Sequence, residues 1–303
     1  MRRRTSLLVA LTGALALGAA WQAATVLGGP ANTCLGDPAT IAGTPGDDTL
    51  TGTAGDDVIV GLAGNDTIDG GGGNDVICAG DGNDTVGGAE GSDLIFGEGG
   101  DDQMDGGTGF DYALYLNAPG PITANLATGG ASGEGSDLIL GIEGLVGGPF
   151  PDHLIGNGAA NYFDGQPGND IIDGAGGGDL LDGDAGNDKL NGGAGFDLAD
   201  FSFASRGVTA NLKLHHATGF GSDTLTSVED LRGSDFADKL TGSAVGNFIY
   251  GGRGNDTIKG LGGADRLFGE RGNDLLDGGP GRDRANGGVG RDRCPNSERK
   301  TSC

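Results

Sequence analysis

Aromatic side chains are scarce in this chain, 5% of its residues with a single Trp, and so are cations, 18 Lys and Arg against 43 Asp and Glu. The first shortage excludes an ordinary globular core built on large apolar side chains. The second leaves a formal charge of −25, which disfavours nucleic acid and anionic lipid as partners and favours cations. His153, His215 and His216 are the only histidines, and neither H-E-x-x-H nor G-x-S-x-G occurs, so two common hydrolase signatures are missing. Beyond residue 20 no apolar run approaches the roughly 18 residues that a membrane-spanning helix needs, and no membrane insertion is expected.

What is abundant is glycine. With 68 Gly and 10 Pro, these two types make up about a quarter of the 303 residues, a level that signals disorder unless a strict period is present. A period of nine is present. Eight nonads run without a gap through residues 43–114, six through 147–200 and seven through 233–295. The spacers, 115–146 and 201–232, align with each other at an offset of 86: Ile122-Thr123-Ala124-Asn125-Leu126 matches Val208-Thr209-Ala210-Asn211-Leu212, Gly135-Ser136-Asp137 matches Gly221-Ser222-Asp223, and Ile142-Glu143 matches Val228-Glu229. Duplication of this kind marks a solenoid, and the spacers are expected to add longer strands to it.

The flanks carry their own signals. Arg2, Arg3 and Arg4 followed by the apolar run Leu7 to Ala20 have the layout of a secretory signal peptide, residues 1–20, and predict secretion. A lead segment, 21–42, and a tail, 296–303, complete the chain. Four cysteines in an exported chain point to disulfides with three connectivities open; Cys294 with Cys303, leaving Cys34 with Cys78, is preferred because it closes a short terminal loop. Zinc is set aside because the cysteine spacings match no zinc pattern.

Each position of the nonad has a physical task. Position 1 is Gly in 20 of 21 nonads and position 4 in 17, which predicts turns or close approaches closed to a Cβ. Position 8 is large and apolar in 17, among them Leu50, Ile59, Ile68, Ile77, Leu181, Ile258 and Leu276, between polar or variable neighbours. That alternation predicts a three-residue strand with one inward side chain, stable only when coils stack. Ala113, Ala199 and Ala285 interrupt the series at intervals of 86, where the coil is expected to be re-shaped.

Position 6 is Asp in 19 of 21 nonads and Asn in Asn161 and Asn247. Coils about 4.8 Å apart would stack these carboxylates into a column, each neighbouring pair repelling by roughly 3 kcal/mol at an effective dielectric of 20. A divalent cation between loops reverses that sign, and glycine-rich turns can supply backbone carbonyls for a six- to eight-oxygen shell. Ca2+ fits better than Mg2+, which keeps its waters, or soft metals, which want thiolates and imidazoles.

These nonads resemble the repeat-in-toxin, or haemolysin-type, calcium-binding repeat, written G-G-x-G-x-D-x-U-x with U large and apolar; Gly260 to Phe268, GLGGADRLF, follows it closely. The resemblance implies an all-β fold, a right-handed parallel β-roll or β-solenoid of glycine-rich nonapeptide repeats, with six residues forming an ion-binding turn, three a strand, and two nonads one coil. It implies multiple Ca2+ ions held by Asp48, Asp57, Asp66, Asp75, Asp84, Asp93, Asp102, Asp111, Asp170, Asp179, Asp188, Asp197, Asp256, Asp265, Asp274 and Asp283, with carbonyls of turn glycines such as Gly64, Gly73, Gly254 and Gly263. Phe150, Ala159, Phe236 and Val245 replace the position-4 Gly, so the first two nonads after each spacer are expected to be weak or empty sites, with Phe150 and Phe236 packing rather than binding. His215 and His216 are expected in a solvated loop, and Asp182-Gly183-Asp184 lacks the Glu of an EF-hand, Gly193 standing in its place.

Only 30 residues lie outside signal, repeats and spacers, too few for a catalytic domain. The expectation is a secreted, non-catalytic calcium-binding protein, structural or adhesive at a cell surface or matrix; the alternative is a Ca2+-dependent secreted hydrolase or toxin-related module without a recognisable catalytic domain. Nothing in the sequence fixes the oligomeric state.

Overall fold

The computed structural model describes residues 32–303, so the expected signal peptide and the first part of the lead segment lie outside the described residues. It contains two compact units, one ending at Gln166 and the other running from Pro167 to Cys303. The division falls inside the second run of nonads, not at a spacer.

In both units positions 7 to 9 become short strands. Thr67–Asp69 is typical: Ile68 is 2% exposed between an exposed Thr67 and Asp69. Because β-strand side chains alternate, three residues give one inward group, and stacking is what buries it. Stacking is parallel and in register at an interval of 18 residues, as in Thr49↔Thr67↔Thr85 and Ile59↔Ile77↔Ile95. Alternate nonads thus feed two sheets, and two nonads complete a coil. Between the sheets of the first unit lies a narrow ladder of Ile59, Ile68, Ile77, Val86, Ile95 and Met104, each almost fully buried. Leu190, Leu231, Leu240, Ile249, Ile258 and Leu267 do the same in the second.

Each spacer adds one longer strand to this architecture, of five residues, but sets it within an antiparallel meander. Thr123–Asn125, Gly130–Ser132 and Ser136–Leu140 form an antiparallel meander, whose last strand lies parallel on Gln103–Asp105 and whose first lies parallel on His153–Ile155. The second unit repeats the arrangement with Thr209–Asn211, His216–Thr218 and Ser222–Thr226. Ala113, Ala199 and Ala285 pair with Leu145, Leu231 and Lys300, so each lies where the stack passes from nonads to a spacer or to the tail.

Both preferred disulfides form. Cys34–Cys78 and Cys294–Cys303 each have Cα atoms 5.8 Å apart, within normal bridging distance. The first ties the hairpin Thr33–Cys34 and Asp37–Pro38 to the adjoining coil.

Candidate metal centre

Position 6 falls at the end of each loop, one residue before the strand. Its backbone N–H donates to Oδ1 of the aspartate one coil later: Asp57 to Asp75 at 2.8 Å, Asp66 to Asp84 at 2.7 Å and Asp75 to Asp93 at 2.8 Å. The second unit repeats it in Asp256 to Asp274 at 2.9 Å and Asp265 to Asp283 at 3.0 Å. The expected bare column of charges is therefore a ladder in which main-chain amides satisfy one oxygen of each carboxyl group.

The other oxygen has no such partner. Oδ2 of Asp66, Asp75, Asp84, Asp93, Asp102 and Asp111, and of Asp188, Asp197, Asp256, Asp265, Asp274, Asp283 and Asp292, is buried without a hydrogen-bond donor. Buried polar atoms are almost always satisfied, and a row of exceptions at one register calls for a ligand. Desolvation, the largest cause, pushes Asp102, Asp111, Asp188 and Asp256 up to about 7, and Asp75, Asp197 and Asp265 up to about 6. Neighbouring carboxylates add to each of these shifts.

Two glycine positions show what the loops leave open. A Cβ on Gly70, at position 1, would lie 2.6 Å from Asp75 Oδ2 and 2.7 Å from the carbonyl oxygen of Gly88 in the next coil. Gly251 is bounded in the same way by Asp256 Oδ2 at 2.5 Å and Gly269 O at 2.8 Å. A carboxylate and a carbonyl oxygen thus converge on one small cradle, which a side chain would fill. At position 4, the carbonyls of Gly64, Gly73, Gly254 and Gly263 point at Gly82, Gly91, Gly272 and Gly281 one coil later, so closely that a Cβ would overlap them. Among the described residues no group of three or more His, Cys, Asp or Glu side chains is placed to hold an ion. An ion here must draw on main-chain oxygen, which suits a hard cation such as Ca2+.

Not every position-6 aspartate is left with a bare Oδ2. Asp48 and Asp57 are not like the others: Asp57 Oδ2 accepts the Thr53 N–H at 2.7 Å and the Thr53 hydroxyl at 2.8 Å, and Thr44 serves Asp48 in the same way. The Thr53 amide, foremost among its donors, lowers Asp57 below the ordinary carboxylate range, opposite to Asp75. Asp152 and Asp238 are likewise capped, by the N–H of Gly148 and Ser234, each at 2.7 Å. Phe150 and Phe236 are partly exposed, at 37% and 47%. His215 and His216 lie on an exposed hairpin, each Nδ1 against a carbonyl oxygen, of Leu225 at 3.0 Å and Asp223 at 2.8 Å.

Five carboxylates escaped the sequence reading. Asp137 and Asp223 accept the N–H of Asp102 and Asp188, both at 3.2 Å, and so occupy the position-6 place one coil on. Glu143, Glu229 and Glu298 accept from Asp111, Asp197 and Asp283 in the same way. Residues 141–146, 227–232 and 296–301 are shortened repeats of six, in which the longer Glu arm spans what the missing residues leave. The matched pairs Asp137/Asp223 and Glu143/Glu229 in the aligned spacers were the available signal.

The family model for the RTX calcium-binding nonapeptide repeat (4 copies) matches residues 42–77, 79–113, 146–181, 164–199, 232–267, 241–276 and 259–294, together more than half of the chain. The chain belongs to the RTX calcium-binding nonapeptide repeat family. No curated protein matches over its length. Repeats of this family bind Ca2+, and the RTX loops of this protein present the oxygens such an ion requires, so it is a calcium-binding β-roll with Ca2+ as its cofactor.

Proposed function

We propose that this RTX protein is an exported, non-catalytic β-roll that orders on meeting Ca2+ outside the cell and serves there as a structural or adhesive surface or matrix component. The observation that carries the reading is the row of buried Oδ2 atoms from Asp66 to Asp111, at Asp188 and Asp197, and from Asp256 to Asp292. A cation bound in these loops supplies the positive charge and coordination that the oxygens lack. The chain's own part is to hold Oδ1 on an amide, aim Oδ2 at a carbonyl-lined cradle and exclude competing donors. Affinities toward the weak extracellular end, roughly 10⁻⁴ to 10⁻³ M, suit loops that meet abundant Ca2+. The disulfides call for an oxidising compartment, and the charged and apolar pattern of residues 1–20 supports export.

One surface supports adhesion in particular. Arg266, Arg284 and Arg299 are exposed and stacked in register, an arrangement that invites an anionic partner on an otherwise acidic protein. Beside them Tyr250 and Phe268 stack at 4.8 Å, and Arg266 sits 4.9 Å above the Phe248 ring. A flat aromatic face next to a column of guanidinium groups suits an acidic polysaccharide.

The decisive experiment is a calcium titration of the chelated full chain followed by far-UV circular dichroism at neutral pH. Cooperative gain of β signal at submillimolar to millimolar Ca2+ is expected; full signal in chelator, unchanged by calcium, would overturn the reading. Retention on an acidic polysaccharide column but not on a neutral one, lost on replacing the three arginines by serine, would test adhesion separately.

A further inference from the structure

The loops divide into two backbone settings. In six of them the N–H of the second nonad residue donates to the side chain of the sixth: Thr44 to Asp48, Thr53 to Asp57, Gly148 to Asp152, Asn157 to Asn161, Ser234 to Asp238 and Ser243 to Asn247, at 2.5–2.9 Å. None of these second residues is left-handed. In every loop whose Oδ2 is named above as unpartnered, the second residue has positive φ, from Leu62 (φ 87°) before Asp66 to Gly288 (φ 90°) before Asp292. Leu62, Ala89, Glu98, Asp184, Leu261 and Glu270 adopt this setting despite carrying a Cβ, which L-residues resist.

The same amide therefore has two destinations. Turned inward, it occupies Oδ2 of the four aspartates with a charge-assisted hydrogen bond, or the amide oxygen of Asn161 and Asn247, and fills the approach to the cradle. Turned outward, it finds another acceptor where the sequence provides one: the N–H of Gly71, Gly107 and Gly279 goes to Oδ1 of Asp69, Asp105 and Asp277, the ninth residue of the preceding nonad. No inward loop has an aspartate at that preceding position; Ala42, Thr51, Val146, Ile155, Arg232 and Thr241 stand there.

Resting on the calcium reading above, we propose that the second residue of each nonad selects the loops that take Ca2+: left-handed loops bind, Asp292's included, and the six inward loops do not. The inward loops occur in pairs, at residues 43–60, 147–164 and 233–250, at the head of each run of nonads. Two nonads make a coil, so every run begins with one coil that satisfies its own sixth side chains without metal. The missing position-4 glycine is not the cause, since Asp48 and Asp57 lie in loops that keep Gly46 and Gly55.

The test counts calcium on the full chain by equilibrium dialysis with atomic absorption. Leu62→Thr with Leu261→Thr puts β-branched residues where left-handed φ is required and offers a hydroxyl cap; two fewer ions per chain are expected, whereas Leu62→Gly with Leu261→Gly keeps the wild-type number. Thr51→Asp with Thr53→Gly removes a hydroxyl cap, allows left-handed φ and offers the amide of residue 53 the outward acceptor that Asp69 gives Gly71, beside a cradle already bounded by the carbonyl of Gly70, and one more ion is expected. A misfolded variant could not produce that gain. Wild-type numbers in both the Thr and the cap-removal pairs would overturn the inference while leaving the calcium reading intact. A wild-type chain that binds no calcium would overturn both.

Discussion

Acid should do part of calcium's work. Asp102, Asp111, Asp188 and Asp256 hold their protons up to about pH 7 in the folded state, against an ordinary value of 3.8. With the folded value raised, the stability these groups allow is fully present below 3.8 and is lost as pH rises through about 7. Each proton held only by the folded chain changes stability by about 1.4 kcal/mol per pH unit in that window. Halving this for water close to the loops, the four groups together give roughly 3 kcal/mol per unit between about pH 5 and 6.5. Lowering the pH from 8 to 5 in chelator should therefore raise both the far-UV β signal and the melting temperature of the metal-free chain. The same protons compete with Ca2+, so the midpoint of a calcium titration should move to higher concentration at pH 5.5 than at pH 7.5. A metal-free chain that is most ordered at pH 8, or indifferent to pH across this range, would refute the reasoning.

Two other perturbations separate the core from the staples. Ile77→Ala removes a fully buried ladder residue and should cost about 2–5 kcal/mol in guanidinium denaturation at saturating Ca2+, whereas Thr67→Ala on the outer face should stay within about 0.5 kcal/mol. Replacing Cys34 and Cys78 by serine opens a link spanning 44 residues and should cost about 4 kcal/mol by loop-closure entropy, against roughly 2.5 kcal/mol for the 9-residue link of Cys294 and Cys303; thermal melts of the two double variants should rank in that order.

The period of nine made much of this protein legible. Ile68 and Ile77 had to point inward because only alternation around position 8 buries anything, and a single aspartate register implied an ion. What the period hid are the places where it breaks. Glu143, Glu229 and Glu298 sit in repeats shortened to six, where a longer side chain restores a contact that a nine-residue frame does not look for. The antiparallel meander left no mark, since Thr123–Asn125 reads like any other short strand. Thr53 resembles an ordinary loop residue, and its effect on Asp57 depends on a backbone angle that residue type alone does not determine, as Gly148 in the inward setting shows.

The meander also bears on the order in which the chain can assemble. Thr123–Asn125 precedes Ser136–Leu140 in sequence but lies farther from Gln103–Asp105 in the sheet. A chain emerging from its N-terminus cannot lay its rungs down one after another past this point. The newest segment must slip in beneath an older one, so growth of the stack should pause there until about thirty further residues have arrived.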